Sequence, residues 1–274
     1  MSLGRSKILT IRQPLREEEE KMRFVDLSAT IEPSPETVQG FLRTDIVYQS
    51  HAEGAASIQA MLNVPPELLR HGEGWAVETI THLGTHNTTH IDAPWHYNSR
   101  IQGKRAQTID ELPLEWFFSD GVILDMTHKA DGDGMTVEDA QKELQRIGYT
   151  LKPLDIVMVR TGRDAFYGQP DYMFRGCGVT AEATKWLFDQ GIRVMGIDAW
   201  GWDTPLDRQA QEALSKKKPG IFWAAHQADL PYAQIERLVN LGGLPPFGFK
   251  VCCFPLKIKG GSAGPARIVA ILPD

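Results

Sequence analysis

The 274-residue sequence predicts a mixed α/β fold in a single domain, on three observations. Short apolar runs rich in β-branched residues, "GVILDM" (121–126), "DIVMVRTG" (155–162) and "IRVMGIDAW" (192–200), read as buried strands. Two amphipathic, capped segments between them read as helices. Strands and helices mix without strict βαβ alternation, which favours a mixed sheet. The length suits one large domain or two small ones, and no internal repeat or low-complexity linker divides it.

In chain order, residues 1–21 are expected to be an N-terminal tail, with the run from Arg16 to Lys21 as a solvated charge cluster, and the folded domain to span 22–274. "MRFVDLSATI" alternates as a strand. "SPETVQGFL" offers Ser34 as a helix N-cap with Pro35 at the first helical position. "PPELLRHG" (65–72) suits one or two helical turns. In "MTVEDAQKELQRIG", Val137, Ala140, Leu144 and Ile147 recur at helical spacing and Gly148 is the stop. "TAEATKWLFDQG" (180–191) is a helix capped by Thr180 and ended by Gly191. "IERLVNLGG" (235–243) is a short helix or a turn-rich segment. "FKVCCFPLKI" and "ARIVAIL" close the chain as strands.

Net charge is −6, with no basic stripe and no run of interleaved basic and aromatic residues, so nucleic acid is not an expected partner. No apolar run is long enough to span a membrane, and the start lacks a signal-peptide core, which makes a cytoplasmic protein the expectation. The three cysteines, Cys177, Cys252 and Cys253, are odd in number and two are adjacent. They read as buried thiols rather than a disulfide framework, with Cys252 and Cys253 facing opposite ways on a strand.

The segment "THLGTHNTTHIDAPWHY" (81–97) holds four of the eight histidines. A lone histidine is ordinarily a surface or hydrogen-bonded core residue, but this cluster is different. His82, Gly84, His86, Thr88, His90, Asp92 and Pro94 are separated by even offsets, so an extended strand would place them on one face. A helix would align His86 with His90 but turn Asp92 about 160° away from His90. The β-branched residues and Pro94 also disfavour a helix. Two neutral imidazoles and a carboxylate form a ligand set for a first-row divalent ion. Two His-x-x-x-His pairs, His82/His86 and His86/His90, could supply it.

This segment resembles the signature of the cyclase family of metal-dependent hydrolases, H-x-G-T-H-x-D-x-P-x-H, a family that includes bacterial kynurenine formamidase and isatin hydrolase. The match in register is "HNTTHIDAPWH", with Thr88 where the family usually has glycine. "RFVDLSATIEP", "DIVMVRTG", "VMGIDAWGWD", "HQADLPYAQIERLVNL" and "FPLKIKGGSAGPARIVAIL" are similar to further family segments, in the family's order. The resemblance implies a swivelling β/β/α-type fold. It implies His86, His90, Asp92, His226 and Glu236 as metal ligands, with Asp92 bridging if there are two ions, and His96 as catalytic acid/base. His82 is left as a structural neighbour. On its own Glu236 reads as a helix-surface acid. The spacer before His86 and the segment 207–223 look longer than in compact formamidases.

The expected cofactor is one or two divalent ions, zinc first and manganese as the alternative. The expected reaction is hydrolysis of an amide C–N bond by activated water, arylformamidase-like. A ring-opening hydrolase of a cyclic amide or lactone, or a non-catalytic metal-binding relative, are the alternatives. No serine nucleophile is expected. Trp95, Trp200, Trp202 and Trp223 are candidate walls for a small aryl substrate. The resemblance also implies a homodimer or homotetramer.

Overall fold

The computed structural model describes residues 21–38 and 40–273; the expected tail lies outside these residues except for Lys21. The first half of the chain forms β1 (Met22–Asp26), β2 (Thr44–Gln49), α1 (His51–Leu62), β3 (Val77–Leu83), β4 (His90–Asp92), α2 (Pro94–Tyr97), β5 (Arg100–Ile101), β6 (Lys104–Arg105) and β7 (Phe118–Asp125). The second half forms α3 (Val137–Ile147), β8 (Ile156–Arg160), α4 (Ala181–Asp189), β9 (Val194–Ile197), α5 (Leu206–Lys216), β10 (Ala233–Glu236), β11 (Phe249–Cys252), β12 (Ala263–Pro265) and β13 (Val269–Pro273).

Nine strands make one mixed sheet in the order β1-β13-β11-β7-β8-β9-β10-β4-β12. The central strands β7, β8, β9 and β10 run parallel, and antiparallel strands flank them on both sides. The apolar runs behave as their periodicity requires. Val122 and Leu124 join α3 and α4 in one core, while Ile123 joins Ile156, Met158 and Val194 in the core on the other face. The chain is thus a mixed α/β single domain with a helical layer on one face of the sheet. Both helices form: Thr180 caps α4 as expected, accepting from Ala183 N–H, and α3 ends at Gly148 as expected, with Thr136 capping its start by accepting from Asp139 N–H. Cys177 and Cys253 are buried, and Cys252 is half-buried.

Three local expectations are corrected. The first concerns the histidine segment, which is not one strand. β3 pairs with β2 in a separate two-stranded sheet, residues 84–89 turn, and the strand resumes as β4 for three residues. Close approach explains the break: a Cβ on Gly84 would fall 1.8 Å from the carbonyl oxygen of Phe41, so the chain there is pressed against the 40–42 turn. His82 is consequently exposed on β3, opposite Asp45.

The second is the expected helix at Ser34. Its hydroxyl accepts from Thr44 N–H at 2.9 Å, tying two extended segments together, and Gly40 at φ +65° ends any helical run. A turn and a short 3-10 helix at Gly40–Leu42 stand there instead. The third is Glu236, which ends a buried strand and does not lie on a helix surface. The turn-rich alternative holds for the residues after it, with Arg237 and Asn240 both at positive φ. The segment 207–223, which looks longer than in compact formamidases, is built mainly from α5.

Candidate active site

Sheet register assembles the site. β4 lies between β10 and β12, and His90 stands directly opposite Glu236. Directly opposed residues bring their side chains together on one face. Period-two alternation puts His90 and Asp92 on that face and sends Ile91 into the core behind. Residues at even offsets therefore share a face over β4, where there is a strand to carry the alternation.

His86 reaches the same face from the preceding turn. Thr88 and Thr89 fix that turn: the Thr88 hydroxyl donates to Ala29 O, and the Thr89 hydroxyl donates to Arg237 O at 2.6 Å. Beyond Asp92, Pro94 opens the single turn of α2, which returns His96 over the site. His226 arrives from the loop before β10. Asp203 holds it by accepting from the backbone N–H of Ala225 and of His226 and from the His226 ring at Nδ1.

The side chains converge on Asp92, which is fully buried. His86 Nδ1 lies 2.8 Å and His90 Nε2 3.2 Å from Asp92 Oδ1, and His96 Nε2 lies 4.0 Å from Oδ2. On the other side, His90 Nε2 is 3.7 Å from Glu236 Oε2, and His226 Nε2 is 3.4 Å from Glu236 Oε1. Among the described residues, two groups of donor atoms could each hold a metal ion: His86, Asp92 and His96, and His90, Asp92 and Glu236. Asp92 belongs to both.

The fit to a cation is tested by what these atoms lack. Both carboxylate oxygens of Asp92 and the Nε2 of His90 are buried without a well-formed hydrogen bond. Buried polar atoms are ordinarily satisfied, and several converging acceptors left over in one place suit a cation. The other ring nitrogen of His90 faces Thr88 O at 2.6 Å, which leaves Nε2 free to ligate. His226 is arranged likewise, with Nδ1 on Asp203 and Nε2 toward the site.

Ionisation follows the same packing. Burial disfavours the Asp92 carboxylate, but the surrounding imidazoles of His90, His96 and His86 outweigh it and hold the group well below the usual range. Burial also works against a charged His226, yet Asp203 and Glu236 push it up to about 10. His96 has no such partner. Burial, with His86 and His226 nearby, lowers it to about 4 against the pull of Asp92, so its ring is neutral at pH 7.

A cavity of about 350 Å³ opens over this centre, lined by His86, His96, His226 and Glu236 among others. Trp200 and Trp223 line it as well. Trp223 stacks on His226 with ring centroids 4.7 Å apart, and meets His96 edge-on at 5.1 Å. The other two tryptophans lie elsewhere. Trp202 is in the core, its Nε1 donating to the Thr184 hydroxyl, and Trp95 is 39% exposed and away from the lining.

Three residues at the site escaped the sequence reading. Asp203 gave no spacing signal, because it meets His226 across 23 residues of chain. Arg237 was hidden behind Glu236. Ser262 had a signal: Gly260 to Gly264 spell G-x-S-x-G, which corrects the expectation that no serine candidate exists. Its Oγ lies 3.1 Å from His86 Nε2, forming a line from Ser262 through His86 to Asp92.

Residues 25–204 match the Cyclase family model. The chain belongs to the Cyclase family. That match covers the histidine segment and Asp203, and ends before His226 and Glu236. The chain is 31% identical to the kynurenine formamidase of Salinibacter ruber over 199 residues, which cover 68% of this chain and 76% of that relative. It is 26% identical to the isatin hydrolase of Roseibium aggregatum over 202 residues, or 70% of this chain and 73% of that one. Its fold is similar to that of isatin hydrolase A from Labrenzia aggregata, solved bound to benzyl benzoate. The TM-score is 0.68 over 92% of this chain and 94% of that one, at 24% identity.

Proposed function

We propose that this Cyclase-family chain is a metal-dependent hydrolase that cleaves an amide C–N bond in a small aryl substrate, arylformamidase-like. The observation that carries the reading is Asp92: a buried carboxylate whose oxygens have no well-formed hydrogen bond, belonging to two sets of imidazole and carboxylate donors. A relative named kynurenine formamidase supports the same reaction class.

His86, His90, Asp92, His226 and Glu236 would hold the ion or ions. When bound, a divalent cation supplies Lewis acidity that lowers the pKa of water at the site from about 15.7 towards about 7 and polarises a carbonyl. Asp203 fixes the His226 ring, so that Nε2 faces the centre. His96, neutral and beside the cavity, accepts a proton from water and returns it to the leaving nitrogen. Trp200 and Trp223 flank the aryl group and narrow the access of bulk water.

His96 also stands within ligand range of Asp92 and His86, so its role needs a two-part measurement. His96→Ala is expected to keep its bound metal while turnover of N-formylkynurenine falls by about 10²–10⁴-fold. Isatin belongs beside it as the ring-opening alternative. Loss of metal from His96→Ala would reassign the residue as a ligand. Absence of any bound metal in the wild type, with zinc and manganese supplied, would overturn the reading.

The line from Ser262 through His86 to Asp92 favours a second reading, acyl transfer to a serine. Context weighs against it. The motif runs into β12 rather than joining a strand to a helix, and Ser262 is not among the residues lining the cavity. Its hydroxyl is better placed to orient a ligating imidazole. Ser262→Ala separates the two. A serine nucleophile predicts loss on the order of 10⁶-fold, and an orienting hydroxyl about 10–100-fold.

A further inference from the structure

A buried guanidinium in the wall of the cavity is held in no ion pair among the described residues. Arg237 is 5% exposed, yet among the described residues it forms no ion pair. Its Nη1 donates to Asn87 O at 2.6 Å and its Nε to Trp200 O at 3.3 Å, while the guanidinium lies 4.7 Å over the Trp200 ring. Nη2 donates to none of the described residues. The other cation in the lining, Arg175, is committed to Asp171 and Asp131.

The backbone is bent to bring this side chain in. A strand continuing past Glu236 would point residue 237 to the opposite face of the sheet. Arg237 instead has φ +61°, in the left-handed region that non-glycine residues rarely adopt. Two hydrogen bonds hold it there, from its N–H to Ala199 O and from the Thr89 hydroxyl to its carbonyl. The result is that consecutive residues, Glu236 and Arg237, line one cavity. Unusual backbone kept beside a reactive centre points to function. Arg237 also lines an adjoining cavity of about 460 Å³, and the two spaces share Met173, Trp200 and Arg237. A ligand seated over the metal-binding side chains therefore has room to extend past Trp200 to the guanidinium.

We propose that Arg237 binds a carboxylate of the substrate through its free Nη2 edge, where the two cavities meet. The substrate class is then an aryl amide that bears a carboxylate away from the bond that is cut. This rests on the hydrolase reading for the reaction, and on burial, missing partners and backbone geometry for the anion. A buried cation that would otherwise be unpaired gains most from an anionic ligand.

The test compares formanilide with the three formamidobenzoate isomers, on wild type, Arg237→Met and Arg237→Lys loaded with zinc. Thermal melts and metal content confirm that each variant is folded. The wild type should favour at least one carboxylated isomer in kcat/KM. Arg237→Met should reduce that preference about tenfold or more, mainly through KM, and Arg237→Lys should retain part of it. A preference that changes less than twofold, or is absent in the wild type, overturns the proposal. Benzoate binding by calorimetry separates this outcome from failure of the hydrolase reading. If no formamide turns over but Arg237→Met still weakens benzoate binding about tenfold, the anion site stands without that reaction. Equal benzoate binding in wild type and Arg237→Met overturns the anion site whatever the turnover.

Discussion

Asp203 shows how much one side chain can organise. It gathers two backbone N–H groups and one imidazole, and so fixes both the loop that carries His226 and the ring's orientation. An amide in place of this carboxylate leaves one of those donors without an acceptor. Outer carboxylates of this kind typically change metal affinity by about 10–100-fold. Asp203→Asn is therefore expected to weaken zinc binding by that factor, measured by competition against a chelator of known affinity. Unchanged affinity would show that the ring is held by packing against Trp223 instead. At this scale the sequence was partly legible. His86, His90, Asp92 and His96 stand within eleven residues, so their spacing could be read. Asp203, Arg237 and Ser262 act on partners far away in the chain, and nothing local marks the Asp203 or Arg237 pairing.

Elements were legible where a buried stripe or a cap repeats a periodic pattern. α3 and α4 have both. α1 was missed because its faces are mostly exposed and carry no apolar stripe, although Ser50 and Glu53 form a capping box that the letters already contained. The histidine strand was read too long, because alternation constrains a segment only while it remains paired. The joint between β8 and β9 makes a testable case. Asp198, just after β9, accepts from the Thr161 N–H and hydroxyl and from the Gly162 N–H, and so pins the turn that follows β8. Burial pushes its carboxyl up to about 6, with the three donors acting the other way. A folded-state pKa above the usual 3.8 means that protonation favours the fold. That stability is complete below about pH 4 and is lost as pH rises through about 6. Relative to Asp198→Asn, the wild type should therefore lose melting temperature between pH 4 and pH 7. A difference between the two melting curves that stays flat over this window would show that the donors keep Asp198 ionised throughout.

At the scale of the molecule, one tension remains to be resolved by a ligand. The mixed sheet places Asp92 and Glu236 on adjacent strands, both buried, and each raises the cost of the other's charge. His90 between them relieves part of that cost, but Asp92 keeps two oxygens without a well-formed hydrogen bond. A fold that buries such a pair should be more stable when a cation bridges it, because a ligand that binds the native state alone stabilises it by mass action. At about 100 times the dissociation constant the gain is about 2.7 kcal/mol, which for a chain of this size corresponds to a rise of about 5–10 °C in melting temperature. The chelated protein should thus melt lower by that amount and recover on addition of zinc or manganese. Asp92→Asn should lose at least half of the rise, since Asp92 belongs to both donor sets and the amide has one carboxylate oxygen fewer and no charge. A wild type whose melting temperature ignores both ions would mean that the converging side chains satisfy one another, and the metal reading would fall with it.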